Sequence, residues 1–268
     1  MVRDGRLLAT SSDDKTVALW SLPGPELKLR TRAHDFLVND LTVVDGAGGA
    51  ELVTASSDGT VRRWSWPGIE PVETIDVAGL LGRDVSLHAI APLPGARRIL
   101  AGTWSSSLLE LVARESGWSV REHPVPSKAV YRLAPVPRLG IWVAVGIEPS
   151  SLHLFDLATG VLHPLDAAGL DAMWVVPVPG KDDVVVVGLD GLSRYSFSAP
   201  LPDAAGRRTV TYRAWSGRRT GAGLQTATLL PDGSLWGGTV HGELLRFDAG
   251  RFGGSPILTR ALDLGPPR

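Results

Sequence analysis

The sequence predicts an all-β protein made of six repeated sheets, and three observations carry that prediction. Short apolar runs alternate with clusters of Gly, Pro, Asp and Ser along the whole chain, the pattern of many brief strands joined by tight turns. No segment sustains an i, i+3, i+4, i+7 apolar stripe of helical length. A repeat also recurs: Trp20, Trp64, Leu111, Phe155, Tyr195 and Phe247 fall in register at intervals of 44, 47, 44, 40 and 52 residues. A period of that size, built of four short strands, is that of a propeller blade. The expected architecture is therefore a six-bladed β-propeller, forming one domain over residues 1–268.

The second unit shows the order of its parts most clearly. An outer strand is expected near 27–32, an inner strand near 38–44 and a third strand near 51–56; a Ser-Asp-Gly turn then leads into a fourth over 60–66. Later units repeat that order, as in SLHAIAPLPG, RRILAGTW and SLLELV, or AVYRLAPVP, IWVAVGIE and SLHLFDLATG. Alternation along these strands lets a sheet bury both faces against its neighbours, as stacked blades require. The last apolar segment, SPILTRALDL, is expected to be the outer strand of the sixth blade.

The stretches LLATSSDDKTVALW and ELVTASSDGTVRRW are two copies of one pattern, and over residues 6–66 the chain resembles the WD40-repeat family. The resemblance implies a hydrogen-bonded tetrad of His, Ser or Thr, Asp and Trp within a blade. Its members here would be His34, Thr54 or Ser56, Asp58 and Trp64, with Ser56 the expected hydroxyl. Such a chain makes physical sense, because each buried donor then meets an acceptor. Two features depart from the family: Ser21 and Ser65 stand where an Asp usually follows the Trp, and Ser105, Pro149 and His241 stand in the place of the turn Asp.

The first unit has Asp14 and Trp20, with Thr10 and Ser12 nearby, but no His and no inner strand. The first blade is thus expected to lack its inner strand, leaving 23 strands where six full blades need 24. Three accounts stand side by side. In the first, the chain boundary is drawn one strand late or the chain is part of a longer protein. In the second, the tail or the first residues fill the gap. In the third, a partner donates a strand to complete the blade.

Composition narrows the function classes. A net charge of −1 and pI near 6.6 give no reason to expect nucleic acid or an anionic membrane as partner. The absence of cysteine removes disulfides and thiol chemistry and suits a cytoplasmic protein. Apolar runs such as DVVVVGL are strand-sized. Four lysines against 23 arginines suit a GC-rich bacterial genome.

No catalytic constellation emerges. The six histidines, at 34, 88, 123, 153, 163 and 241, fit no metal-ligand spacing, and His88 and His153 sit among apolar neighbours on strands. The serines of SSDD, ASSD and WSSS belong to turns, and no nucleophile elbow is present. A calcium-dependent, lactonase-like propeller hydrolase is the enzyme alternative. The chain has one Asn, and its inner strands LTVV, HAIAPL, YRLAPV, MWVVPV and TATLL carry almost no carboxylates, which argues against that alternative. No cofactor is expected.

What remains is binding surface. In WD40 proteins the loops entering the inner strands, with the turns after the third strands, commonly hold peptides or proteins. Here those positions include Arg32, Asp35, Phe36, Arg83, Trp104, Trp215 and Arg218, and Trp and Arg are types that often dominate interfaces. The expected function is a non-catalytic scaffold or sensor module for a protein or peptide partner, within a larger bacterial multidomain or multi-component system.

Overall fold

The computed structural model describes residues 2–3, 6–22, 24, 26–46, 48–93, 97–167, 169–199, 201–202, 204, 207–219, 223–229, 234–239, 241, 243–248 and 258–265. The chain divides into two compact units, Met1–Val130 and Tyr131–Arg268.

The first unit holds three antiparallel sheets. The first comprises β1 (Val2–Arg3), β2 (Leu7–Ser11), β3 (Thr16–Ser21) and β4 (Glu26–Arg32). The second comprises β5 (Val38–Gly46), β6 (Gly49–Ser56), β7 (Thr60–Ser65) and β8 (Pro71–Asp76), and the one-turn helix α1 (Val77–Leu81) follows. The third comprises β9 (Leu87–Pro92), β10 (Arg98–Thr103), β11 (Ser107–Arg114) and β12 (Gly117–Pro124).

Period-two alternation explains how these sheets stack. On β6, Leu52 faces a core shared with Val17 and Leu19 of the first sheet. Val53 and Ala55, one step along, face a core shared with Ile99, Ala101, Leu109 and Leu111 of the third. A strand buried on both faces reads as a continuous apolar run, and a one-residue slip would exchange its two faces.

The second unit repeats the scheme. Its first sheet comprises β13 (Ala129–Val136, which begins just ahead of the unit boundary), β14 (Ile141–Ile147), β15 (Ser151–Asp156) and β16 (Val161–Leu165). The next is larger, with β17 (Ala172–Pro177), β18 (Asp183–Gly188), β19 (Gly191–Phe197), the short β20 (Leu201–Pro202) and β21 (Arg208–Arg219). The last comprises β22 (Leu224–Leu229), β23 (Ser234–Thr239) and β24 (Leu244–Asp248). The valine run of β18 divides cleanly: Val184 and Val186 join Val143, Val145 and Tyr195 in one core, Val185 and Val187 join Leu224 and Leu235 in another. All four are fully buried, and each contributes about 1.5–3 kcal/mol by leaving water.

One sequence expectation is met, in that the first sheet has no full-length inner strand, and two others change. The inner edge of the first sheet is occupied by β1, a two-residue stub that pairs Val2 with Leu8 and Arg3 with Leu7, where the other inner strands run to six residues or more. The terminal strand β25 (Leu258–Gly265) does not close the sixth sheet; it pairs antiparallel with β21 from Arg208 to Ala214. The cause is burial, since Leu264 is covered and Leu262 packs into the same core as Tyr195 and Tyr212. Finally, Trp215 and Arg218 lie in strand β21 and not in a loop. The β19–β21 register shifts between Gly191 and Ser193, which pair with Arg219 and Ser216, so Gly217 and Arg218 form a bulge. A glycine inside a strand commonly marks such a bulge, whereas position in the repeat predicts a loop for Trp215 and Arg218.

Candidate functional site

The best-defined polar constellation lies in the second sheet. His34, on the loop after β4, is buried beside β6 and β7. Its Nδ1 lies 3.0 Å from Asp58 Oδ2 and its Nε2 lies 2.7 Å from Thr54 Oγ1. Trp64 Nε1 donates to the same Thr54 oxygen at 3.0 Å. With Nδ1–H given to the carboxylate, the network assigns Nε2 as acceptor of the Thr54 hydroxyl proton, which leaves Thr54 Oγ1 free to accept from Trp64. Burial alone would raise the Asp58 pKa. Hydrogen bonds from His34, the Thr60 hydroxyl and the Asp35 N–H outweigh it and hold the carboxyl well below the usual range.

The network corrects one sequence assignment. Thr54, not Ser56, is the hydroxyl that joins His34 and Trp64. Ser56 is two residues further along β6, where its Oγ accepts from Asp58 N at 3.0 Å. That role recurs: Ser12 accepts from Asp14 N, Thr103 from Ser105 N and Thr239 from His241 N, each at 3.2 Å. A hydroxyl at the end of the strand before the turn, or just past it as with Ser12, caps that turn and persists where the tetrad does not. The signal was legible in four of the six units as a Ser or Thr two residues ahead of the turn residue, at Ser12, Ser56, Thr103 and Thr239. The first sheet keeps part of the tetrad as well, since Trp20 Nε1 donates to Thr10 Oγ1 at 3.0 Å.

This network anchors the loop that carries the exposed candidates. Ala33 N and His34 N both donate to Lys15 O, Ser57 N donates to Leu37 O, and Arg62 Nη1 donates to Ala33 O at 2.9 Å. Residues 33–37 are thereby held between the 12–15 and 57–59 turns. Gly59 allows the second turn its φ of +81°, and a Cβ there would sit 2.8 Å from Ala78 Cβ of α1. On this fixed base Phe36 is 51% exposed, with Lys15 Nζ 5.5 Å from its ring centroid. Arg32 and Asp35 pair at 3.5 Å, and Arg62 reaches Asp35 at 3.6 Å. The structure thus gathers Arg32, Asp35 and Phe36, with Lys15 and Arg62 beside them; the last two were not singled out from the sequence.

The other candidates are separate. Arg83, after α1, pairs with Glu122 of β12 at 2.5 Å. Trp104 is half-buried against His88, with ring centroids 4.8 Å apart, and Lys128 Nζ lies 5.0 Å from its ring. Trp215 is half-buried opposite Arg194 in the β19–β21 ladder, and the Arg218 side chain lies outside the described residues.

Charged groups inside the sheets are internally paired. Asp156 is fully buried; it accepts from Arg208 Nη1 at 2.9 and 3.0 Å and from the Thr159 hydroxyl at 2.8 Å. Burial opposes ionisation of Glu110, but hydrogen bonds from His123 and the Arg98 guanidinium hold its pKa below the ordinary value. Burial pushes the His153 pKa down, which favours a neutral core imidazole. Among the described residues no group of three His, Cys, Asp or Glu side chains lies close enough together to hold a metal ion.

Comparison with known proteins follows the same lines. The WD domain, G-beta repeat family matches residues 2–21. No curated protein matches the sequence. A chain in the crystal structure of the mitotic checkpoint complex is similar over 91% of this chain and 74% of its own, with a TM-score of 0.69 and 15% identity. Likeness at that identity speaks for the fold, which 1190 solved chains share, and so does not by itself choose a function. The six antiparallel sheets of the described residues and the fold likeness together identify a six-bladed β-propeller, whose first repeat is similar to the WD domain, G-beta repeat over residues 2–21.

Proposed function

We propose that the chain is a non-catalytic protein-binding module that receives its partner on the loop 33–37 surface of its first unit. One observation carries this reading: Phe36 is half exposed on a loop immobilised by the His34–Asp58 network and ringed by Lys15, Arg32, Asp35 and Arg62. A pre-organised aromatic flanked by charges of both signs loses little entropy on binding and gains from desolvation. The resemblance to a chain from a multiprotein complex is consistent with a scaffold role. The same reading places the module as one domain within a larger bacterial assembly in the cytoplasm, with no cofactor, nucleic acid or membrane partner. Among the described residues no helix is long and apolar enough to cross a membrane.

The test is comparative affinity purification from source cells, with wild type, Phe36→Ala and Arg32→Glu as baits of matched Tm. Proteins held by wild type and lost from both variants are the expected outcome, with Phe36→Ala weakening binding about 30-fold, as a residue worth about 2 kcal/mol does. Identical capture by all three baits would refute the surface.

A further inference from the structure

We propose that the outer edge of β4 accepts an added strand from an acidic partner segment. The molecule already contains one such addition: β21, an outer strand, takes β25 along its free edge over Arg208–Ala214. Two other outer strands carry devices that block pairing, since β8 opens with Pro71 and β16 contains Pro164, and β12 is bounded by Gly117 and Pro124. β4 has neither proline nor glycine over its seven residues, and every residue except Thr31 is exposed. Leu27 and Leu29, 46% and 37% exposed, are among the large apolar side chains left open to solvent.

The ladder shows which backbone groups are on offer. Ala33 N donates to Lys15 O, and the register continues through Thr31 opposite Val17 and Leu29 opposite Leu19. Antiparallel alternation then turns the backbone groups of Thr31 and Leu29 inward and those of Arg30 and Arg32 outward. A shift in register between Leu19 and Trp20 ends the regular edge near Lys28. An arriving strand would place one set of side chains opposite Arg30 and Arg32 and the alternate set beside Leu29 and Thr31. Charge complementarity selects acidic residues for the first set and apolar residues for the second. A second copy of this chain is a poor occupant. Joining the outward residues of two β4 strands antiparallel sets Arg30 against Arg30, Arg30 against Arg32, or Arg32 against Arg32, and like charges directly opposite repel.

The experiment uses the full chain and two capped heptapeptides, one alternating Glu with Val and one alternating Lys with Val. The Glu–Val peptide is expected to bind and to slow amide exchange at Arg30 and Arg32 at least tenfold, leaving Leu29 and Thr31 little changed. Arg30→Glu should weaken the Glu–Val peptide roughly tenfold and favour the Lys–Val peptide. Arg30→Pro should weaken both by removing an outward N–H. Phe36→Ala should leave this binding intact, so that it fails or stands apart from the loop surface. Absence of binding, equal binding of the two peptides, or binding without protection at Arg30 and Arg32 would overturn the proposal.

Discussion

Thr54 and His34, twenty residues apart in sequence, meet at 2.7 Å, and the same Thr54 oxygen receives Trp64 Nε1 at 3.0 Å. One hydroxyl therefore satisfies two buried nitrogens. Thr54→Val keeps the shape and removes the polar centre, so it should cost about 1–3 kcal/mol through the groups it leaves unpaired. Ser56→Ala removes a bond to a single turn N–H and should cost about 0.5–1.5 kcal/mol. Urea unfolding of the two variants checks the order, and an equal or reversed order would reject the assignment of Thr54.

Asp58 makes stability depend on pH in a defined direction. Its folded pKa lies below the ordinary aspartate value, so its contribution is fully present above about pH 4, the unfolded value. That contribution is lost as pH falls through the folded pKa. The stability gap between wild type and Asp58→Asn should therefore be constant near neutrality and shrink below about pH 4. Unfolding curves at several pH values measure it, and a gap that widens with acid would contradict the network.

Asp156 and Arg208 form a buried pair in the second unit, with Asp156 fully covered. Asp156→Ala should cost about 3–5 kcal/mol by leaving the guanidinium uncompensated. Adding Arg208→Met should recover part of that loss. A double variant no more stable than the single one would show that the aspartate acts through Thr159 instead.

Calcium provides the check against a metal-dependent hydrolase. A binding-only module should melt at the same Tm with calcium or with a chelator, because a ligand of the native state alone raises Tm. A rise with calcium would reverse the non-catalytic reading.

The sequence by itself determined the class of fold, the sixfold period and three members of the network. The interval of 44 residues between Trp20 and Trp64 and the motif around Asp58 are local in the chain, and local spacing survives folding. The runs that read as strands are strands because both faces of each blade are buried, which makes continuous valines such as 184–187 informative. Tertiary structure alone decided what depends on distance across the fold. Thr54 and Ser56 lie on one face of β6, and only the reach of Trp64 Nε1 and His34 Nε2 separates the tetrad hydroxyl from the turn cap. The pairing of β25 with β21 spans about fifty residues and depends on which edge best buries Leu262 and Leu264. The bulge at Gly217 and Arg218 kept Trp215 in a strand, a matter of register that no single segment specifies.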